Sequence, residues 1–405
     1  EIEASGLGNR IQILTPRKLA RYYAAANAFY LASREDPFPS VVLEALASGL
    51  PIIGHEGTGG CDDLIRRHGV LVPQTDPMAV TDAILDVISG QDPNAVEARR
   101  QEIARNYDFP DYVFGLIRRL APHTATVSAV VPNYRYEAYV GERLRSVFDQ
   151  NYPLREVIVL DDASPDNSVA EIERTAEAAG RIIDLHVNAT NSGSPFPQWR
   201  KGVELAQGEY VWIAEADDLA DPSFVSRLVE QMQLAGSVIG FTDSRQIDEA
   251  SATLGDSYKP YVNQIEPGAF DTSFDMEGRE FLARYLSVKN VILNVSGVVF
   301  HRQTLLDAFK AVGDELRDYS VAGDWRLYAE ICSHEGSRVS YLAEALNTHR
   351  RHKVSVTHAL KVEKHLAEIA GMQKWTASAV DLTQEVRDLQ AVHLEQCKVH
   401  LQSSR

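Results

Sequence analysis

Two apolar segments that each end in acidic residues constrain this chain more than any other feature. VIVLDDAS covers 157–164, and YVWIAEADD covers 210–218. Each is typical of a buried strand followed by carboxylates, which are costly there unless a cation or a hydrogen-bond donor meets them. Open α/β sheets bind ligands at the carboxyl ends of their strands. The sequence therefore predicts a nucleotide at one cluster and a divalent metal at the other.

The net charge narrows the classes of partner, and the cysteine usage indicates the compartment. The net charge is −17 and the pI is about 5.2, which argues against nucleic acid as a partner and against an extended contact with anionic lipid. Cys61, Cys332 and Cys397 lie far apart, without CxxC spacing, as expected in a reducing compartment. We expect a cytoplasmic protein, and a peripheral contact with the inner face of a membrane or with a partner protein stays open.

The hydrophobic pattern divides the chain into four parts. Residues 1–120 alternate short strands, such as 11–14 and 28–31, with helices, and alternation of this kind predicts a parallel sheet. Residues 121–125 are a predicted linker, and a second α/β domain covers 126–358. Residues 359–405 form a predicted helical extension, because apolar residues recur there at helical spacing.

Sugar transfer from a nucleoside diphosphate needs residues of the kinds that the acidic clusters contain. The leaving diphosphate calls for a divalent cation, and hard cations bind carboxylate oxygens. On this interpretation Asp161 and Asp162 take the base and the ribose. Glu215, Asp217 and Asp218 hold the metal and the ribose–phosphate end. Solvated loop carboxylates are the alternative for each cluster.

A third carboxylate is a candidate for the base that removes the acceptor proton. Asp324 lies in GDW, at the start of a predicted helix. A positioned carboxylate can act as a general base. An acidic residue in a first helical turn is also favoured by the helix dipole alone, so a purely structural role remains the alternative.

Residues 126–358 resemble family 2 glycosyltransferases of the GT-A fold. The resemblance rests on TVSAVVPNYRYEAYVGERLRSVFDQNYP, on REVIVLDDASPDNS and on GEYVWIAEADD, which occur in the family's order. It implies an inverting, metal-dependent enzyme that uses Mn²⁺ or Mg²⁺. The implied partners are a nucleotide-sugar donor, a UDP-sugar first, and a glycan or lipid-linked acceptor in cell-surface polysaccharide synthesis.

The same resemblance assigns roles to single residues. It places Pro132 and Tyr134 in the base pocket, with Asp162 accepting a hydrogen bond from a uracil-type base. It places Asp217 at the metal-binding second Asp of the family's DxD motif, and Glu215 at the first position, where the family has Asp. Asp324 falls at the catalytic base, and His352 falls where related enzymes have a histidine near the metal or the diphosphate.

The first part of the chain resembles a different family. ASREDPFPSVVLEALASGLPIIG, at 32–54, is similar to the donor-binding half of family 4 glycosyltransferases, which have the GT-B fold. In their EX7E motif, Glu44 would start the helix and bind the ribose, and Asp36 would face the sugar. The predicted fold class is thus α/β, with a partial Rossmann-like GT-B domain followed by a GT-A domain. We expect the first domain to be truncated, part of a longer polypeptide and inactive alone.

Other classes fit less well. A catalytically degenerate module that binds a nucleotide-sugar or a glycan is the main alternative. Sugar-1-phosphate nucleotidyltransferases need a glycine-rich loop after the first strand, where this chain has PNYR at 132–135. Nicotinamide-dependent dehydrogenases need GxGxxG after a strand, and we find none.

Overall fold

The computed structural model describes residues 10–12, 19–33, 35–74, 76–90, 92–107, 109–121, 124–352 and 362–403. The chain divides into two units, Glu1–Leu120 and Ala121–Arg405. Of the predicted strand at 11–14, residues 11 and 12 are not in a strand and the other two lie outside the described residues. Part of the predicted linker, 122–123, and part of the helical extension, 359–361, also lie outside them.

The first unit is a small parallel sheet with helices. The strands are β1 (Phe29–Tyr30), β2 (Ile52–His55) and β3 (Gly69–Val72), paired in that order. The helices are Ala20–Ala25, Ser40–Ala47, Asp62–His68, Pro77–Ser89, Pro93–Asn106 and Phe109–Leu120. Strand β3 and the helices Asp62–His68 and Pro93–Asn106 were not predicted from the sequence.

Local sequence explains where the longer helices of this unit begin. Asp76 precedes Pro77, and its side chain accepts hydrogen bonds from the backbone N–H groups of Met78 and Ala79. Asp92 caps the helix that starts at Pro93 in the same way. Proline suits a first helical position because the N–H that it lacks would have no partner within the helix.

The second unit is built on one mixed sheet. The strands are β4 (Val127–Asn133), β5 (Glu156–Asp161), β6 (Asp184–Val187), β7 (Tyr210–Ile213), β8 (Leu219–Ala220), β9 (Ile239–Ile247), β10 (Thr253–Gly255), β11 (Phe274–Glu277), β12 (Val298–His301) and β13 (Arg338–Arg350). The main order is β11-β13-β9-β12-β7-β4-β5-β6, with β8 on β13 and β10 on β9. Strands β7, β4, β5 and β6 are parallel, whereas β12 is antiparallel to both its neighbours. The predicted α/β fold class is confirmed.

Helices cover this sheet and extend beyond it. They are Glu137–Phe148, Ser168–Ala179, Pro195–Leu205, Phe224–Ala235, Lys259–Val262, Gly278–Phe281, Arg302–Val312, Gly323–Ser333, Val362–Ala379 and Gln384–Ser403. A π-helical turn, Leu282–Leu286, continues Gly278–Phe281, and 3₁₀ turns form at Val295–Gly297 and Gly313–Arg317. The predicted helical extension is thus two helices, which we call the first and second C-terminal helices.

Burial explains the sequence pattern of the central strands. Every residue of β4 is buried, as expected for a parallel strand that is covered on both faces. Ile158, Val211 and Ile213 belong to one apolar core, while Val159 and Trp212 belong to the core on the opposite face of the sheet. Strand β13 continues to Arg350, so His349 and Arg350 belong to it.

Candidate functional site

The carboxyl ends of three parallel strands meet at one place in the second unit. Strand β4 pairs with β5 on one side and with β7 on the other. The chain continues from β5 to β6 on the first side and then returns to β7, so the strand order reverses at β4. A reversal of this kind opens a crevice at the strand ends. A cleft of about 510 Å³ lies there.

Residues that the sequence analysis selected from four separate segments line this cleft. They are Pro132, Tyr134, Asp162, Glu215, Asp217, Asp218 and Asp324. Asn133, Gln198, Trp199 and Asn294 are polar or aromatic neighbours in the lining that the analysis did not select. The tertiary structure therefore brings both acidic strand ends and the candidate base to one cavity.

The two aspartates at the end of β5 occupy different environments. Asp161 is fully buried and is not in the cleft lining. Its carboxylate accepts hydrogen bonds from Nδ2 of Asn133 at 2.7 Å and from the backbone N–H of Ser164 at 2.9 Å. The first bond joins the ends of β4 and β5, and the second holds the turn that follows β5. Asp161 thus makes structural contacts at the strand ends, and its expected contact with the nucleotide stays a prediction.

Asp162 lines the cleft, and both of its carboxylate oxygens already accept hydrogen bonds. The backbone N–H of Ser192 lies 2.9 Å from Oδ2, and its hydroxyl lies 2.7 Å from the same oxygen. Nε2 of Gln198 and Nδ2 of Asn188 donate to Oδ1 at 2.6 and 2.7 Å. Asp162 therefore anchors the loop after β6, and an N–H of a bound base would share or replace one of these donors.

Asp217 pairs with the late histidine that the sequence analysis selected. Nε2 of His352 lies 2.8 Å from Oδ2 of Asp217, and the ring also contacts those of Tyr136 and Tyr139. The hydrogen bond to Asp217 raises the pKa of His352. The hydrogen bond between them could not be predicted from the sequence, because the two residues are 135 positions apart.

Asp218 is buried, and each of its carboxylate oxygens accepts a hydrogen bond. Oδ1 accepts a hydrogen bond from the backbone N–H of Arg350 at 2.8 Å, and Oδ2 accepts one from Nδ2 of Asn294 at 2.9 Å. Burial raises the pKa of Asp218, and the charge of Asp217 adds to that effect. These contacts connect the loop after β7 to the end of β13.

Glu215 differs from its acidic neighbours. Burial, with a further effect of Asp217, raises the pKa of Glu215 to about 8. Nε1 of Trp199 donates a hydrogen bond to Oε1 of Glu215 at 2.5 Å. Glu215 thus stands at the first position of the acidic motif with one carboxylate oxygen held by Trp199, and its binding of a metal stays a prediction.

Two buried arginines lie behind the acidic motif, and we did not select them as site residues. The Arg350 side chain has no exposed area; its Nε donates to the backbone oxygen of Asp217 at 2.8 Å. The Arg143 guanidinium is fully buried over the ring of Trp212 at 4.7 Å, without a hydrogen-bond partner among the described residues. Burial lowers the pKa of Arg143 to about 10, opposed by the nearby carboxylates, with Asp218 first. The sequence signal that could have identified Arg143 is its position within the apolar stripe of helix Glu137–Phe148.

Asp324 lies in the first turn of helix Gly323–Ser333, as predicted, and lines the cleft. Nδ2 of Asn290 lies 3.3 Å from Oδ2, and the backbone N–H of Trp325 lies 2.6 Å from Oδ1. Burial raises the pKa of Asp324 to about 6, and these two donors oppose the shift. A carboxylate with this pKa is ionised at neutral pH and can still accept a proton, as a general base requires.

The two residues of the first unit that were predicted to bind a donor are placed less favourably for that role than the residues of the cleft. Glu44 lies in the second turn of helix Ser40–Ala47 rather than at its start, is exposed, and accepts a hydrogen bond from the hydroxyl of Tyr23 at 3.2 Å. Asp36 pairs with Gly59 in an isolated β-bridge. A Cβ atom on Gly59 would lie 1.7 Å from the backbone oxygen of Asp36, so this approach requires glycine.

Two features are absent from the described residues. They contain no group of three or more His, Cys, Asp or Glu side chains arranged to hold a metal ion. Within the same ranges, no helix has both the length and the apolar character needed to cross a membrane.

Comparison with known families agrees with the two resemblances. Residues 128–288 match the family model of glycosyl transferase family 2, and residues 1–90 match that of glycosyl transferases group 1. Both resemblances inferred from the sequence are thereby confirmed.

Individual relatives are distant. Glycosyltransferase GlyG of Streptococcus pneumoniae is 23% identical over 57% of this chain and 72% of that protein. The putative teichuronic acid biosynthesis glycosyltransferase TuaG of Bacillus subtilis is 29% identical over 29% of this chain, and the match spans less than half of that protein, 45%. A crystal structure of S. aureus TarS 1–349 with UDP-GlcNAc superposes with a TM-score of 0.47 at 18% identity, covering 68% of this chain and 71% of that one.

Proposed function

We propose that this chain, which carries a family 2 glycosyltransferase domain at 128–288 after a group 1 region at 1–90, transfers a sugar from a nucleotide-sugar donor to a glycan or lipid-linked acceptor. The transfer proceeds with inversion and serves the synthesis of a cell-surface polysaccharide. The similarity to TuaG, a putative teichuronic acid biosynthesis glycosyltransferase, supports the pathway. Three free cysteines support a reducing, cytoplasmic location.

One observation carries this proposal: the acidic strand end of β7 and the candidate base Asp324 line the same cleft. The cleft has the size of a small-molecule site. Asp162, Pro132 and Tyr134 also line it and form the proposed pocket for the base of the nucleotide, which we expect to be uracil.

The side chains of the cleft suit a hard cation. Magnesium and similar ions commonly bind through one or two carboxylates, with phosphate oxygens of the substrate as further ligands. Asp217 is the proposed protein ligand, with His352 beside it, because Asp218 already bonds to Arg350 and Asn294. When bound, Mn²⁺ or Mg²⁺ would stabilise the charge of the leaving diphosphate.

The residues support a single displacement. Asp324 takes the proton of the acceptor hydroxyl as the acceptor oxygen forms its bond to the anomeric carbon. The bond from that carbon to the diphosphate oxygen breaks at the same time, and the nucleoside diphosphate leaves with the electron pair. Attack opposite the leaving group inverts the anomeric carbon.

The first unit carries a second proposal. Asp36 and Glu44 would bind a donor there, as the group 1 match supports. The test is calorimetric titration of the full chain with UDP-sugars after Asp217→Asn has removed the metal-dependent site. Residual binding that disappears with Asp36→Asn and Glu44→Gln would support this donor site, and residual binding that survives both changes would contradict it.

A thermal-shift screen tests the main proposal. The purified chain is heated with UDP-, GDP-, dTDP- and CMP-sugars, each with and without Mn²⁺. Stabilisation by one nucleotide class only in the presence of metal, followed by turnover when glycan acceptors are added, supports an active transferase. Binding without turnover across an acceptor panel would favour a degenerate binding module, and the absence of any stabilisation would contradict the proposal.

A further inference from the structure

The two C-terminal helices contact two segments that position Asp324. One segment lies just before the helix of Asp324, and the other lies just before Asn290. The first of them, Val362–Ala379, packs against residues 320–322, which lead directly into the helix of Asp324. Both helices also contact residues 287–288, just before Asn290, which donates to the Asp324 carboxylate.

The first contact centres on one carboxylate. Glu368 is buried, with 8% of its surface exposed. It accepts hydrogen bonds from three successive backbone N–H groups: those of Ser320 at 3.0 and 3.1 Å, of Val321 at 2.9 Å and of Ala322 at 3.1 Å. Hydrogen bonds to an ionised acceptor are stronger than neutral ones, and a negative charge is favourable at a helix N-terminus. Glu368 therefore fixes the backbone two residues before Asp324.

The second contact uses two buried amides. Nε2 of Gln390 donates to the backbone oxygen of Ser287 at 2.8 Å, and Nε2 of Gln373 donates to that of Val288 at 3.0 Å. Nε2 of Gln373 also donates to the backbone oxygen of Gln390 at 3.1 Å, so the two helices are joined where they meet this segment. These bonds fix the backbone on the Asn290 side of the base.

We propose that the C-terminal helices form part of the catalytic apparatus and that Glu368 is a positioning residue for Asp324. This inference rests on the proposed function, in which Asp324 takes the acceptor proton. A general base must lie within hydrogen-bond reach of that proton, and a displacement of about 1 Å can cost about 100-fold in rate. The first turn of a helix frays readily because its N–H groups lack partners within the helix. Glu368 supplies an acceptor just before that turn.

The test compares Glu368→Gln and Glu368→Ala with a matched control, Glu363→Gln, at an exposed position of the same helix. Loss of the charge-assisted bonds should lower kcat by about tenfold in Glu368→Gln and about 100-fold in Glu368→Ala, with the KM for the donor unchanged. The Glu363→Gln control should retain wild-type kcat. A fall in donor affinity without a fall in kcat would contradict the positioning role.

A double-mutant cycle separates positioning from a general structural role. If Glu368 acts through Asp324, Glu368→Gln should have almost no further effect on single-turnover rates in an Asp324→Asn background. Equal fold-changes in both backgrounds would overturn the inference. If the Glu368 variants are poorly folded, Gln390→Met and Gln373→Leu replace them. These two variants remove the hydrogen bonds to residues 287–288 and are combined with Asp324→Asn in the same way.

Hydrogen exchange gives a readout that does not depend on activity. The amides of residues 320–322 should exchange faster in Glu368→Gln than in the wild type, while those of β4 should not change. Unchanged exchange at 320–322 would refute the tether itself. A wild-type protein without turnover on any donor, combined with faster exchange in the variant, would refute the proposed function and leave the tether supported.

Discussion

Replacing Asp324 with asparagine removes the proposed base at almost constant volume. The amide oxygen can still accept the hydrogen bond from the backbone N–H of Trp325, which is 2.6 Å from the carboxylate, but it cannot take a proton. General bases contribute about 10²- to 10⁴-fold, so kcat should fall about 100-fold or more while donor binding is retained. The assay is turnover with the donor identified by the thermal screen, with calorimetry for donor affinity.

The pH profile of kcat adds a second measurement of the same residue. Burial raises the pKa of Asp324 to about 6 from an ordinary value of 3.8. With a pKa of about 6, about nine tenths of the carboxyl is ionised at pH 7 and about one tenth at pH 5, so kcat should fall about tenfold between them. Nδ2 of Asn290 stabilises the ionised form, so Asn290→Ala should move this limb to higher pH.

Stability provides the control for these activity losses. A carboxyl whose folded-state pKa is raised stabilises the fold fully only below its ordinary pKa, and that contribution is lost as pH rises through about 6. At pH 7 the wild type therefore has no such contribution to lose, and Asp324→Asn should melt no lower. Asp318→Asn, at an exposed position before the same helix, should leave kcat unchanged. Wild-type turnover in Asp324→Asn, or a flat profile from pH 5 to 8, would refute the reasoning.

Three further predictions follow from single contacts. Asp217→Asn should abolish the Mn²⁺-dependent part of donor binding in calorimetry, and unchanged binding would exclude Asp217 as the metal ligand. Gly323→Ala would place a Cβ atom 2.2 Å from the Phe196 ring and should cost about 1–3 kcal/mol of unfolding free energy in urea, whereas Gly371→Ala, where nothing lies within 4 Å, should not destabilise. Asp162→Ala should lower both the melting temperature and donor affinity, because it leaves the buried Gln198 amide and the backbone N–H of Ser192 without this acceptor; a drop in only one would contradict the double role.

Much of the second unit could be predicted from the sequence because its signals are local. A continuous apolar run marks β4 as a strand covered on both faces, and acidic residues mark the ends of β5 and β7. Asp324 follows a glycine at the start of helix Gly323–Ser333, which was predicted from the sequence. For this reason the segments of the cleft could be identified before the structure was known, whereas the assignment of Asp324 as the base is what the family resemblance implies. Short strands such as β3 carry weaker local signals and were not predicted.

The sequence by itself determined the elements and the chemical character of the strand ends, because hydrophobic period and residue type act over a few neighbours. Only the tertiary structure decided which of two adjacent aspartates faces the cleft, since that depends on the pleat and on donors from other loops. It also decided the pairing of Asp217 with His352 and the contact of Glu368 with the segment before Asp324. Both contacts join residues that are distant in the chain, and only packing of the whole unit brings their atoms within hydrogen-bond distance.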